Sequence, residues 1–227
     1  MDVIIDSVQL KVNNCCVFMW YDSKISLFAD INYKINKAYC DKHNIDLICC
    51  NQRRYIDKHP VWERIPLILN YIDKYEYVIW IDADAHFYID SENIIDLITK
   101  YSNYNFIFSN DIPKSIKKDI IVGINTGFFI VKNTKYSIDF LHKWGYDELL
   151  HKNNRFPNWP DQGVILDMYK ENILDIQNNS IVLDYGILQH FHDNETFAQK
   201  PFVYHLAGRT ALIRYNHSLN YFTQITI

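Results

Sequence analysis

Tyr77-Val78-Ile79-Trp80-Ile81-Asp82-Ala83-Asp84-Ala85 decides how this chain is read. Apolar residues, mostly β-branched or aromatic, run for the length of a strand and then deliver two carboxylates one residue apart. An uninterrupted run of this kind reads as a strand buried on both faces, as in a parallel or mixed sheet between helices. Strand alternation would put Asp82 and Asp84 on one face, but the pair falls where the strand should end, and a turn there changes the geometry. Two carboxylates so close raise each other's pKa unless a cation lies between them. Mg²⁺ and Mn²⁺ favour such oxygen ligands, completed by substrate phosphates. The first expectation is therefore a metal–diphosphate site. A solvated acidic turn after a strand is the other reading, and the pair alone does not separate the two.

Composition narrows the class. A chain of 227 residues, 48% hydrophobic, with six Gly and six Pro, is long enough for a sizeable core and lacks linker composition. A net charge of −4 without a basic block argues against nucleic acid as a partner. The five cysteines (Cys15, Cys16, Cys40, Cys49, Cys50) lie in the first fifty residues, without Cys-x-x-Cys spacing. They read as buried thiols in a reducing compartment rather than a zinc or dithiol site. Residues 1–14 carry Asp2 and Asp6 and do not form a signal peptide, and no apolar run reaches membrane-span length. The expectation is a soluble, cytoplasmic protein with no membrane span.

Either side of the opening stretch, strands and helices alternate. Cys15–Tyr21 reads as the first strand, and Tyr21-Asp22-Ser23 after it as part of a ligand site or an ordinary helix cap. A helix over Ser26–His43 follows, with Leu27, Ile31, Ile35 and Ala38 as its apolar stripe, then a strand over Asp46–Cys50. Arg64 opens the next helix and reads either as a partner of the acidic pair or a donor phosphate, or as a solvated arginine. A Ser91-capped helix runs to Lys100, and Asn105–Ser109 is a strand. Pro113–Asp119 is a lysine-rich loop. Gly123-Ile124-Asn125-Thr126-Gly127 reads as a glycine-flanked turn or bulge where backbone can approach a ligand, before Phe128–Val131 resumes the strand. A helix spans Tyr136–Leu150, and Pro160 opens another, holding Asp161 and Gln162 in its first turn. Strands near Ile181–Leu183 and Phe202–His205 close the order, with His190 and His192 read as loop residues.

No glycine precedes Gly123, which removes a Walker A loop and a Gly-x-Gly-x-x-Gly dinucleotide fingerprint. What remains resembles a GT-A glycosyltransferase. The resemblance rests on Val78–Ala85, Asn125-Thr126-Gly127-Phe128-Phe129, Trp159-Pro160-Asp161-Gln162-Gly163 and Phe202-Val203-Tyr204-His205-Leu206-Ala207-Gly208, in that order. They look like the galactosyl/mannosyltransferase family, glycosyltransferase family 34, and the capsid-glycosylating GT-A domains of large algal DNA viruses.

That resemblance implies an α/β fold: one GT-A-like domain over residues 1–227, with a central mixed, mostly parallel sheet flanked by helices. Residues 1–110 would form the nucleotide-binding part and 111–227 the donor-sugar and acceptor part. It implies transfer of a sugar, with retention, from a nucleotide sugar such as a UDP-sugar to a glycan or protein acceptor, as a viral protein in the host cytoplasm if the source is viral. Asp82, Asp84 and His205 would bind Mn²⁺ or Mg²⁺. Gly208 and Arg209 would lie beside the diphosphate, Tyr21 and Asp22 near the base, and Arg64 and Ala83 along the donor. Asn125, Asp161 and Gln162 would face the sugar. Relatives usually carry an N-terminal membrane anchor, which this sequence does not show. A non-catalytic nucleotide-sugar or glycan-binding module and a metal-dependent phosphohydrolase are the alternatives.

Overall fold

The computed structural model describes residues 14–111, 123–192 and 195–225. The N-terminal residues 1–13 and the lysine-rich segment at 113–119 lie outside them. Chain order is β1 (Cys15–Trp20), α1 (Ser26–Lys42), β2 (Asp46–Cys50), α2 (Arg64–Tyr71), β3 (Tyr77–Ile81), β4 (Ala85–Phe87), α3 (Ile94–Lys100), β5 (Phe106–Asn110), β6 (Ile124–Lys132), α4 (Lys135–Tyr146), α5 (Glu148–Lys152), α6 (Pro160–Lys170), α7 (Ile176–Asn179), β7 (Ser180–Leu183), β8 (Gln189–His190), β9 (Val203–His205) and α8 (Ala211–Ile225). Six strands form a sheet in the order β2-β1-β3-β6-β5-β7, in which β6 alone runs against the others. The sheet is mixed and mostly parallel, as expected.

Both faces of β3 are buried. Val78 and Trp80 pack with Cys16, Phe18 and Trp20 beneath α2, α4 and α6. Ile79 and Ile81 pack with Cys15, Val17 and Met19 beneath α1 and α3. Each large apolar side chain so buried is worth about 1.5–3 kcal/mol, and this two-sided burial explains the unbroken apolar runs of β1 and β3. All five cysteines sit in these layers, and none is in a disulfide. No helix among the described residues is long and apolar enough to cross a membrane.

Several elements differ from the sequence reading. The first helix buries Phe28, Asn32, Ile35, Asn36 and Tyr39 and leaves Leu27 and Ala38 exposed, so its inner stripe is turned from the one expected. The reason is polar: Asn32 and Asn36 point inward to bond the chain around Ala83 and Ala85. Asn93 rather than Ser91 caps α3, its Oδ1 accepting from Ile95 N–H at 3.1 Å. The long helix from Tyr136 breaks at Asp147, whose carboxylate caps α5 through Leu149 and Leu150 N–H. Asn125-Thr126-Gly127 lies inside β6 rather than before it, and the irregularity is a register shift against β5 between Ile107 and Ser109. His190 belongs to a strand and bonds the Tyr88 hydroxyl at 2.9 Å. A small second sheet, β4-β9-β8, and the terminal helix α8 complete the fold.

Candidate metal and donor site

Strand β3 stops at Ile81, and Asp82–Ala85 make a turn in which Ala85 N–H donates to Asp82 C=O at 3.0 Å. That turn is fastened on every side. Asp82 N–H donates to Gly127 C=O at 2.7 Å, and Leu206 N–H donates to Asp84 C=O at 2.8 Å. From α1, Asn32 Nδ2 donates to Ala83 C=O at 2.9 Å and Asn36 Nδ2 to Ala85 C=O at 3.2 Å, while Asn36 Oδ1 accepts from Phe87 N–H at 2.9 Å. Both asparagines are fully buried. After the turn, β4 pairs antiparallel with β9 in the register Ala85↔His205. This register places His205, from far along the chain, beside Asp84.

Asp82, Asp84 and His205 each offer an atom within 4.8 Å of the others. Each carboxylate gives one oxygen to an arginine and turns the other toward the imidazole. On Asp82, Oδ1 accepts from Arg64 Nη2 at 3.1 Å and Trp80 Nε1 at 2.7 Å, while Oδ2 lies 4.0 Å from His205 Nε2. On Asp84, Oδ2 is 2.6 Å from Arg214 Nη2, and Oδ1 is 3.3 Å from His205 Nε2. Burial pushes the Asp82 carboxyl up, with Asp84 adding to it against the pull of Arg64. Burial also opposes charge on Asp84, but His205 and Arg214 outweigh it and hold that carboxyl below its ordinary value. Two carboxylate oxygens and one imidazole nitrogen converging at the mouth of a sheet suit a hard-to-borderline divalent cation such as Mn²⁺ or Mg²⁺. The donor set fits the ion.

Arg64 ties this centre to its neighbours. Its side chain is 2% exposed, lies over the Trp80 ring at 5.2 Å, and donates through Nε to Val61 C=O at 2.9 Å. Nη1 reaches both Thr126 C=O and, at 3.1 Å, Asp161 Oδ2. Arg64 thus joins the acidic turn to the first turn of α6 and is no solvated surface residue. Beside Asp161, Gln162 Oε1 accepts from Thr126 N–H at 3.4 Å and its Nε2 donates to Asp111 Oδ2 at 3.1 Å. The Asn125 carboxamide oxygen is engaged by Gly127 N–H at 2.8 Å and Gln189 Nε2 at 3.0 Å. Gly127 is required for space: a Cβ there would come within 2.0 Å of His205 Cε1.

Other expected residues lie outside this cluster. Tyr21 and Asp22 line a cavity of about 280 Å³ at the carboxyl ends of β1 and β2, with Asp30, Cys49 and Asn51. Gly208 is exposed, with a left-handed φ of 70°, in the turn after β9. Arg209 leans toward Phe191 C=O and His192 Nδ1, each at 3.4 Å. The sequence reading missed Arg214, Gln189, Asn32 and Asn36. Asparagines four apart in a helix were a signal available for the last two, since that spacing shares a face.

A sequence profile of the galactosyl transferase GMA12/MNN10 family matches residues 16–212. The chain belongs to that family. Galactomannan galactosyltransferase 1 of Cyamopsis tetragonoloba is 24% identical over 174 residues, covering 75% of this chain and 38% of that protein. Xyloglucan 6-xylosyltransferase 1 of Arabidopsis thaliana is 26% identical over 122 residues, 52% of this chain and 25% of the relative. The chain therefore spans well under half the length of these two relatives. Among solved structures, a glycosyltransferase involved in glycosylation of the major capsid of PBCV-1 matches with a TM-score of 0.66 at 16% identity, covering 91% of this chain and 98% of its own. Galactosyltransferase LgtC matches with a TM-score of 0.50 at 12% identity, covering 90% and 95%. Both likenesses concern the GT-A fold.

Proposed function

We propose that this chain is a metal-dependent glycosyltransferase that moves a sugar from a UDP-sugar to a glycan or glycoprotein acceptor, with retention at the anomeric carbon. The observation that carries the proposal is the convergence of Asp82, Asp84 and His205, each carboxylate paired with its own arginine, in a chain of a glycosyltransferase family. Asp82, Asp84 and His205 would hold Mn²⁺ or Mg²⁺. A bound cation there supplies charge against the diphosphate as the leaving group becomes more negative.

The remaining roles belong to this chain's residues. The cavity at Tyr21 and Asp22 takes the base, and the backbone at Ala83 and Gly208, with Arg209, borders the diphosphate. Residues 1–110 thus serve the nucleotide, and 111–227 the sugar and acceptor. Arg64 holds Asp82 and Asp161 in fixed relation, so the sugar-facing pair Asp161-Gln162 keeps its place relative to the donor phosphates. Asn125 stands on the same side. In the transfer, the acceptor hydroxyl oxygen bonds the anomeric carbon while the carbon–oxygen bond to the β-phosphate breaks. The electron pair leaves with that phosphate oxygen, which also takes the hydroxyl proton. Asp161 and Gln162 face the positive charge on the sugar.

The acceptor class is drawn from the relatives' names, polysaccharide in two and a capsid protein in the third. A cytoplasmic setting, that of a host if the source is viral, agrees with cysteines buried as thiols. The test is release of UDP from UDP-galactose, UDP-glucose and UDP-xylose with Mn²⁺ or with EDTA. Metal-dependent turnover of one donor is expected. Binding without turnover would turn the proposal into the non-catalytic reading, and hydrolysis of simple phosphoesters would replace it with a phosphohydrolase.

A further inference from the structure

His205 offers two ring nitrogens, and only one can face a cation bound between Asp82 and Asp84. The other, Nδ1, lies 2.9 Å from Gln189 Oε1. Gln189 is wholly buried, so both ends of its carboxamide need partners. Which end faces which partner follows from a backbone group. Gly127 N–H donates to the Asn125 side-chain oxygen at 2.8 Å, which identifies that atom as Oδ1, since an amide nitrogen there would set donor against donor. The same Oδ1 meets Gln189 at 3.0 Å and therefore faces its Nε2. Gln189 Oε1 is then turned toward His205, and an oxygen that only accepts requires the proton to sit on Nδ1. A run of bonds from one main-chain N–H thus sets the protonated nitrogen of a ring on another strand.

We propose that Gln189 is a positioning residue that keeps the His205 proton on Nδ1 and leaves Nε2 as the nitrogen that binds the metal, with Asn125 and Gly127 N–H setting the direction of the relay. The proposal rests on the metal-dependent reading above. Nε2 is the atom that lies 3.3 Å from Asp84 and 4.0 Å from Asp82, so it is the ring nitrogen that faces both carboxylates. Packing supports the same orientation. Gly127 lies directly against Cε1, and the Phe191 ring meets the imidazole edge-on at 5.4 Å. Partners of this kind orient ligating histidines in metal sites generally, and removing one costs about 10–100-fold in metal affinity or activity.

Two measurements test the proposal, both on the whole chain. Mn²⁺ is titrated by electron paramagnetic resonance into wild type and Gln189→Met, which keeps the volume but replaces the carboxamide oxygen with a thioether, at best a weak acceptor for Nδ1. Weakening by about 10–100-fold is expected. Separately, histidine-labelled wild type loaded with ¹¹³Cd²⁺ is examined by ¹⁵N NMR. Cadmium coupling should appear on Nε2 of His205 and the proton on Nδ1. Coupling on Nδ1 overturns the proposal, as does Mn²⁺ binding by folded Gln189→Met within about twofold of wild type. The NMR result decides alone if the variant does not fold. If wild type binds no Mn²⁺, the donor-site reading falls together with this one. Wild-type binding with no loss in Gln189→Met removes only the role of Gln189.

Discussion

The two carboxylates of the turn look alike in sequence and are held in opposite ways. Asp82 leans on the α2 face, against an arginine that is 2% exposed and already shared with Asp161 and a backbone carbonyl. Asp84 leans on the α8 face, against an arginine that is 23% exposed and comes from the last helix. A buried cation between two carboxylates belongs to the framework, because removing it leaves negative charge, most deeply buried on Asp161, without its counter-charge. One that keeps about a quarter of its side chain in solvent retains part of its hydration and exchanges partners at lower cost. The comparison assigns Arg64 to the architecture and Arg214 to an adjustable rim.

Breaking the framework side should have the largest effect. Arg64→Met should destabilise the fold by about 3–5 kcal/mol, the range for breaking a buried ion pair, as read from urea unfolding. An unchanged midpoint would mean that the Asp82 side is no more fixed than the Asp84 side. The rim side should show a pH dependence instead. His86 on β4 stacks on Tyr221 of α8 at 4.5 Å, and burial holds its ring down to about 3, far below the ordinary 6.5. Between those values the unfolded chain binds a proton that the folded chain refuses. Stability should therefore be complete above pH 6.5 and fall as pH drops toward 3, by at most about 1.4 kcal/mol per pH unit from this group. His86→Phe keeps the stacking and should flatten that slope in thermal melts across pH 4–7.

Smaller effects refine the same contrast. Asn36→Ala strips partners from Ala85 C=O and Phe87 N–H, on the chain leaving the acidic turn. It should cost about 1–3 kcal/mol in chemical denaturation. Arg214→Ala should change stability by less than about 1 kcal/mol. A larger loss would make α8 part of the framework.

The residues that carry this contrast were unevenly legible. Burial of β3 on both faces leaves no polar residue in its run, so the strand and the carboxylates at its end could be read directly. The stripe of α1 was misread because Asn32 and Asn36, polar in sequence, sit on the buried face to bond backbone carbonyls. Arg64 could be placed near the acidic pair from its position at a helix start. Its burial could not, since that depends on Asp161 arriving from α6. His205 was reached only through family resemblance, because the register Ala85↔His205 is a long-range pairing that local pattern does not encode. Gln189 and Arg214 carry no such signal at all, because their roles exist only once β8, β9 and α8 are assembled around the turn.

The most direct test of the donor site is calorimetric titration of UDP into wild type and Asp84→Asn, with Mn²⁺ and with EDTA. Wild type should bind UDP only when Mn²⁺ is present, and Asp84→Asn should not bind it, with circular dichroism showing that variant folded. Equal UDP binding without metal, or undiminished metal-dependent binding by Asp84→Asn, would contradict the donor-site reading.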